Sequence, residues 1–354
     1  MDRVWWEQVT NANRFLEMVV SSILTGKSVA VVLPVEVPWR GKLLDMIESK
    51  VAKKSSNNSF DFIDSPEGEA GEFLLNKYCK EEKKAQYRPN KSYARFLAES
   101  DDIVLNDKFV WVKNISPSKY DEWMNFVSDY CMHVRKDLSP AVFILETNDE
   151  AMSHSAKKGV SKIIYSNEIN LFDSYAFCTL AVSSVQCKTY MKVYLAELVS
   201  NICGDDIELC SQCIQRGKLF LEDTIEVLSN IKSQCTRSNG IGFNYIMNEE
   251  TINKKVWKTQ IKTIFPVIED YRGDFIVKYN EEISQQLPIT NSNGEEFIEP
   301  TEVEIGTLNY MVAAGLVNIG TKEHNRLHLF KEARNTLAHL KILSIEDIDK
   351  ILAE

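Results

Sequence analysis

Five short apolar runs, each separated from the next by stretches of helical or polar character, constrain this chain more than any other feature. They are SVAVVLP (Ser28–Pro34), SFDFID (Ser59–Asp64), KFVWVKNI (Lys108–Ile115), AVFILET (Ala141–Thr147) and SKIIYSN (Ser161–Asn167). Runs this short and this rich in β-branched and aromatic residues suit strands rather than helices. Strands that alternate with helices imply crossover connections and parallel pairing. The fold class expected is therefore α/β plus all-α: a largely parallel five-stranded sheet domain over residues 1–170, then helices only. Residues 1–26 read as one amphipathic helix stopped by Gly26, Arg40–Lys53 as a second, part of 67–100 as helical, and the stretch opened by Ser116-Pro117 as another.

After about Asp173 no strand signal follows. Tyr175–Ile202 and Asp205–Gln234 read as long helices of a region spanning 171–245, closed by a turn at Arg237–Gly242. Lys254–Leu287 reads as one helix kinked at Pro266. The loop NSNGEEFIEP leads to helices at Thr301–Gly315, at Lys322–His339 and from Ser344, whose hydroxyl is placed to cap it. Residues 250–354 are thus expected to form an all-α domain.

The net charge of −10 argues against broad, non-specific nucleic-acid binding, which needs a basic surface to displace counterions; a local basic site stays open. The N-terminal residues have no apolar core of signal-peptide type, and no apolar run approaches about 18 residues, so no membrane span and a cytoplasmic location are expected. Eight cysteines fall between positions 79 and 235. Cys210 and Cys213 make a CxxC with Cys203 ahead of it, but no partner pair follows at zinc-site spacing; they read as small buried residues. No metal or cofactor is expected.

Residue types suited to chemistry converge in FKEARNTLAHLKIL, Phe330–Leu343. His328, Asn335 and His339 are spaced by seven and four and share a helix face, with Arg334 flanking it. Leu329, Ala333, Leu337 and Leu340 run down another side, towards a core. The guanidinium of Arg334 suits a phosphodiester, Asn335 its positioning, and the imidazole of His339 proton transfer. The structural alternative is Arg334 paired with a carboxylate and His339 capping a helix end.

Thr25-Gly26-Lys27-Ser28 imitates the tail of the phosphate loop GxxxxGK[ST]. Yet Ser21 stands where the first glycine belongs, and the tetrapeptide precedes the first strand instead of following it. After that strand the chain reads PVEVPWRGKLL, with two prolines, the bulky Trp39 and leucines in place of the magnesium-binding hydroxyl.

The order of elements over residues 1 to about 245 nonetheless resembles the P-loop ATPase class, in particular the AAA+ branch. In that family the third strand ends in an Asp-Glu pair, where this chain has Lys113-Asn114, and the fourth ends in a polar sensor, which Thr147 and Asn148 match. The resemblance implies a degenerate module that does not hydrolyse nucleotide, followed by a lid-like helical region. Arg334-Asn335-x-x-Ala338-His339 is similar to the Rx4–6H motif of the HEPN superfamily of helical domains. That resemblance implies a domain that dimerises, and in active members a metal-independent ribonuclease with Arg334, Asn335 and His339 as its catalytic residues. Such pairings resemble bacterial conflict and anti-phage defence components, which implies protein partners, RNA as a candidate substrate and a homodimer as a candidate assembly. Glu323, Glu332, Glu346, Asp347 and Asp349 would repel RNA unless the cleft is locally basic.

Overall fold

In the computed structural model the described residues are 1–55, 58–135, 137–148, 157–245, 248–291 and 294–353. Parts of the polar loops at 53–59 and 291–300 lie outside them. The chain divides into two compact units, Met1–Phe177 with Ser238–Gly240, and Cys178–Arg237 with Ile241–Glu354.

The first unit holds α1 (Thr10–Leu24), β1 (Ser28–Val32), α2 (Arg40–Ala52), β2 (Ser59–Asp64), α3 (Ala70–Tyr78), α4 (Glu81–Lys84), α5 (Tyr93–Glu99), β3 (Lys108–Lys113), α6 (Pro117–His133), β4 (Val142–Thr147), β5 (Val160–Ile164) and α7 (Tyr165–Glu168). The sheet order is β2-β3-β4-β1-β5, and every pairing is parallel. The expected α/β sheet is thus the observed one, and the topology is P-loop-like. β1, β3 and β4 are buried almost throughout, which is why they read as unbroken apolar runs. One face carries a core of Val110, Val112, Phe143 and Leu145 against Leu74, Leu97, Trp123 and Val127 of α3, α5 and α6. α1 lies against β1 and β5 and beside α2.

Sequence and structure part at the N-terminus. The single helix expected over 1–26 is a π-helical turn, Val4–Gln8, then α1, with Val9 extended between them. Trp5 and Trp6 are both fully buried. Adjacent residues point about 100° apart on a helix, and the π-helical turn is the local winding in which both neighbouring indoles are buried. The fifth strand is shorter than expected, because Tyr165–Glu168 turns into α7.

The chain from residue 171 on is mainly helical, and the division between the units falls within its first helix, after Phe177. α8 (Leu171–Ala181) precedes α9 (Met191–Cys203), α10 (Ile207–Arg216), α11 (Lys218–Glu222), α12 (Thr224–Gln234), α13 (Glu249–Thr263), α14 (Phe265–Lys278), α15 (Asn280–Ser284), a two-residue hairpin of β6 (Ile289–Thr290) and β7 (Glu296–Phe297), α16 (Ile305–Ala313), α17 (Thr321–Ala338) and α18 (Ile345–Leu352). The long helices expected at 175–202 and 205–234 are therefore broken. Gly217, at φ +50°, turns the chain between α10 and α11. Pro266 does not kink one long helix; it opens α14, where a missing N–H has no cost. Ser344 caps α18 as expected, its Oγ accepting from the Asp347 N–H. Cys203, Cys210 and Cys213 are buried, as read from the sequence, with the Sγ atoms of Cys203 and Cys213 3.7 Å apart. Burial pushes the Cys203 thiol well above its ordinary pKa, so it stays protonated. No described helix is long and apolar enough to cross a membrane.

The core beneath α3 has no slack. A Cβ added to Gly71 would stand 2.5 Å from the Tyr93 Cβ. Gly71→Ala should lower the stability of the α/β unit by about 2 kcal/mol, the overpacking penalty exceeding the gain in helix propensity. Urea denaturation followed by tryptophan fluorescence reads this directly, since Trp5, Trp6, Trp39, Trp111 and Trp123 lie in that unit.

Candidate functional site

All five strands run the same way, so their C-terminal ends share one edge of the sheet. β1 sends its crossover towards β2, and β4 sends its own past β1 to β5. A ligand crevice in such a sheet belongs outside the strand ends where the connections diverge. There the structure has a crevice of about 430 Å³, lined by Leu33–Val35 after β1, Arg40 at the start of α2, Asn114–Pro117 after β3, and Glu146, Thr147 and Asn148 at the end of β4.

Its centre is a carboxylate. Glu146 is 8% exposed and sits inside an otherwise apolar strand. Arg40 grips it with two hydrogen bonds of 2.7 Å, Nε to Oε1 and Nη2 to Oε2. The indole N–H of Trp111, from β3, donates to Oε2 at 2.7 Å. Three elements are thereby tied to one buried charge. The planar fork of arginine matches a carboxylate with two parallel bonds, which a lysine at position 40 would not do.

The loop that enters α2 is held by side-chain and proline geometry. Leu33 N–H extends the ladder to the Thr147 carbonyl at 2.9 Å. The Trp6 indole donates to the Pro38 carbonyl at 3.2 Å. Trp39 takes a left-handed conformation, φ +44°, immediately before the helix, and its ring lies 6.0 Å from that of Phe177. Pro34 and Pro38 contribute no N–H, so this loop has fewer donors for phosphate than a glycine-rich one.

The end of β3 carries no acid pair: Lys113 and Asn114 stand there. Lys113 lies with its Nζ 4.6 Å over the Phe62 ring, and Asn114 donates to Asp64 at 2.8 Å. Thr147 is buried and Asn148 exposed at the mouth. The GKS imitation lies at the opposite end of β1. Lys27 is exposed, while the Ser28 hydroxyl is buried and accepts from the Phe143 N–H at 3.1 Å.

The C-terminal candidates all lie on or just after α17. Arg334 is half-buried and reaches Glu304 by a single contact of 3.4 Å. Asn335 is half-buried one residue on, and His339 is exposed as the residue that ends the helix. Of the expected apolar stripe, Ala333 and Leu337 are buried, but Leu329 is only half-buried and Leu340 is 73% exposed. Leu327 and Phe330 take their place, because helical residues three and four apart form the stripe and Leu340 lies beyond the last turn. Among the described residues no group of three or more His, Cys, Asp and Glu could hold a metal ion.

Sequence reasoning passed over Arg40, Trp111 and Glu146. One signal was there to be read: a lone acid inside the apolar run VFILET demands a cation wherever that strand is central.

No protein-family model matches the chain, and no curated protein matches it. Among solved structures, a point mutant of RuvB from Thermotoga maritima is similar at 12% identity over 72% of this chain and 76% of that one, with a TM-score of 0.33. A likeness this distant carries no argument about activity.

Removing Arg40 strands a buried carboxylate. Arg40→Ala should cost the α/β unit about 2–3 kcal/mol, at the low end for a broken buried pair because the Arg40 side chain is 33% exposed. Glu146→Gln should cost less, and the double variant should fall short of the sum by about 1 kcal/mol or more. Strict additivity in urea titrations would show that the two groups do not act as a unit.

Proposed function

We propose that this chain is a non-hydrolysing, NTPase-like sensor or scaffold component that acts through contacts with other proteins. The observation that carries this reading is the Glu146 carboxylate held by Arg40 at the strand-end crevice. A nucleotide phosphate needs unengaged cations and backbone donors there; instead the arginine is neutralised by a carboxylate of the same chain. An anion entering the crevice would meet that carboxylate, and the magnesium-binding acids of a working site have Lys113 and Asn114 in their place. The net charge of −10 also suits protein partners better than a nucleic-acid surface.

ATP with magnesium should give no phosphate release above the buffer blank for wild type, Lys27→Ala or Lys42→Ala. Turnover by wild type that is lost in either lysine variant would overturn the reading.

A second reading is a metal-independent ribonuclease centred on Arg334 and His339. One observation favours it: both side chains reach solvent, and the contact of Arg334 with Glu304 is a surface pair worth about 0–1 kcal/mol, too weak to keep a phosphate away. In this reading Arg334 braces the phosphate, Asn335 positions it and His339 moves the proton. RNA incubated in EDTA should then be cut by wild type and left intact by His339→Ala. Equal cleavage by both, or none by either, would sink it.

A further inference from the structure

The segment joining α17 to α18 crosses the face of α13 and is pinned at both ends. At its start the Trp257 indole donates to the Leu337 carbonyl at 2.9 Å. At its end Gln260, one turn further along α13, accepts from the Leu343 N–H at 2.8 Å and donates to the Leu343 carbonyl at 3.2 Å. Between the pins α17 stops in a Schellman arrangement: Lys341 N–H bonds the Thr336 carbonyl at 3.0 Å, and Leu340 N–H that of Leu337 at 3.1 Å. Such a stop puts its left-handed residue where glycine is favoured, yet this chain places Leu340 there at φ +59°. Its side chain is 73% exposed, and Ile342 beyond it is 37% exposed. A strained backbone and an unburied apolar side chain at the same residue contribute nothing to folding.

Leu340, Ile342 and Trp257 line an open groove of about 750 Å³ together with Glu249 and Glu250, in the first turn of α13. Neither glutamate has an ion-pair partner among the described residues. Ile342 and Asn253 also line an adjoining cavity of about 310 Å³ that holds Glu222 and Asp223. Glu222 there is paired with Lys218 at 3.0 Å, so among the described residues the track carries three carboxylates outside ion pairs, Glu249, Glu250 and Asp223, against the ammonium of Lys254.

We propose that this groove is the docking site for a basic amphipathic segment of a partner protein. Its apolar side chains would cover Leu340, Ile342 and Trp257, and its lysines or arginines would meet Glu249 and Glu250. The charge pattern selects against RNA and against a second copy of a chain whose net charge is −10. The assignment deepens the scaffold reading and rests on it.

The test uses the full chain and a fluorescein-labelled 14-residue peptide of leucine and lysine at helical spacing, with a control in which glutamate replaces lysine. Anisotropy should show the basic peptide binding at least tenfold more tightly than the acidic one. Reversing the groove charge, Glu249→Lys with Glu250→Lys, should invert that order. Leu340→Gly should weaken binding at least fivefold while the melting temperature holds or rises, a pairing that a purely structural leucine would not produce. Peptide binding indifferent to both changes, or no binding, would overturn the proposal. So would a dimer in sedimentation that Leu340→Gly abolishes, which would give the groove to a second copy. Failure here leaves the non-hydrolysing assignment in place, because that is read from phosphate release by the α/β unit.

Discussion

An ionised carboxylate buried in a parallel sheet is costly unless a cation and hydrogen bonds meet it, and at Glu146 the α/β unit supplies both. Glu146 is the penultimate residue of the central strand β4, Arg40 begins α2, and Trp111 comes from β3. The three meet because parallel strands deliver their C-terminal ends, and the helix starts that follow them, to one edge. Apolar packing beneath that edge is dense but non-directional. The hydrogen bonds to Glu146 add a directional tie between the start of α2 and the sheet.

The same interaction occupies the crevice at the strand ends. In a doubly wound sheet this edge is where an anionic ligand would be met by helix N–H groups and a basic side chain. Here the chain supplies the anion itself, and prolines and Trp39 occupy the loop in place of a glycine-rich cradle. Fold and chemistry are separable, and this edge keeps the parallel-sheet geometry while its cation is engaged within the chain.

The helical unit solves a comparable problem at α13. Trp257 and Gln260 satisfy backbone groups where α17 ends and the chain has no helix to bond with. By fixing positions 337 and 343 they also fix what lies between them. Leu340 and Ile342 are held outward by polar contacts at either end, so the apolar surface there is imposed by the scaffold.

The inner strand runs could be read from sequence because central parallel strands are apolar on both faces, and the edge strand Ser59–Asp64 from its alternation; both Ser59–Asp64 and Val142–Thr147 lie within a residue or two of expectation. Local capping chemistry was equally legible at Ser344. Helix continuity was less legible: Gly217 and Pro266 stand at two of the breaks, but whether such a residue kinks, turns or restarts a helix was decided by the fold, and the break at Val9 carries no glycine or proline at all. The stripe of α17 was half legible: Ala333 and Leu337 follow from periodicity, while the exposure of Leu340 depends on where the helix stops. Arg334, Asn335 and His339 could be named from spacing, but their accessibility and the contact with Glu304 could not. Sequence by itself determined the alternation of strands and helices, and with it a parallel sheet followed by helices, because those follow from side-chain periodicity within a few residues. Only the tertiary structure decided that Arg40, Trp111 and Glu146, 35 residues and more apart in pairs along the chain, close on one another. Long-range pairing of a buried charge is set by strand order and crossover geometry, which no local pattern encodes.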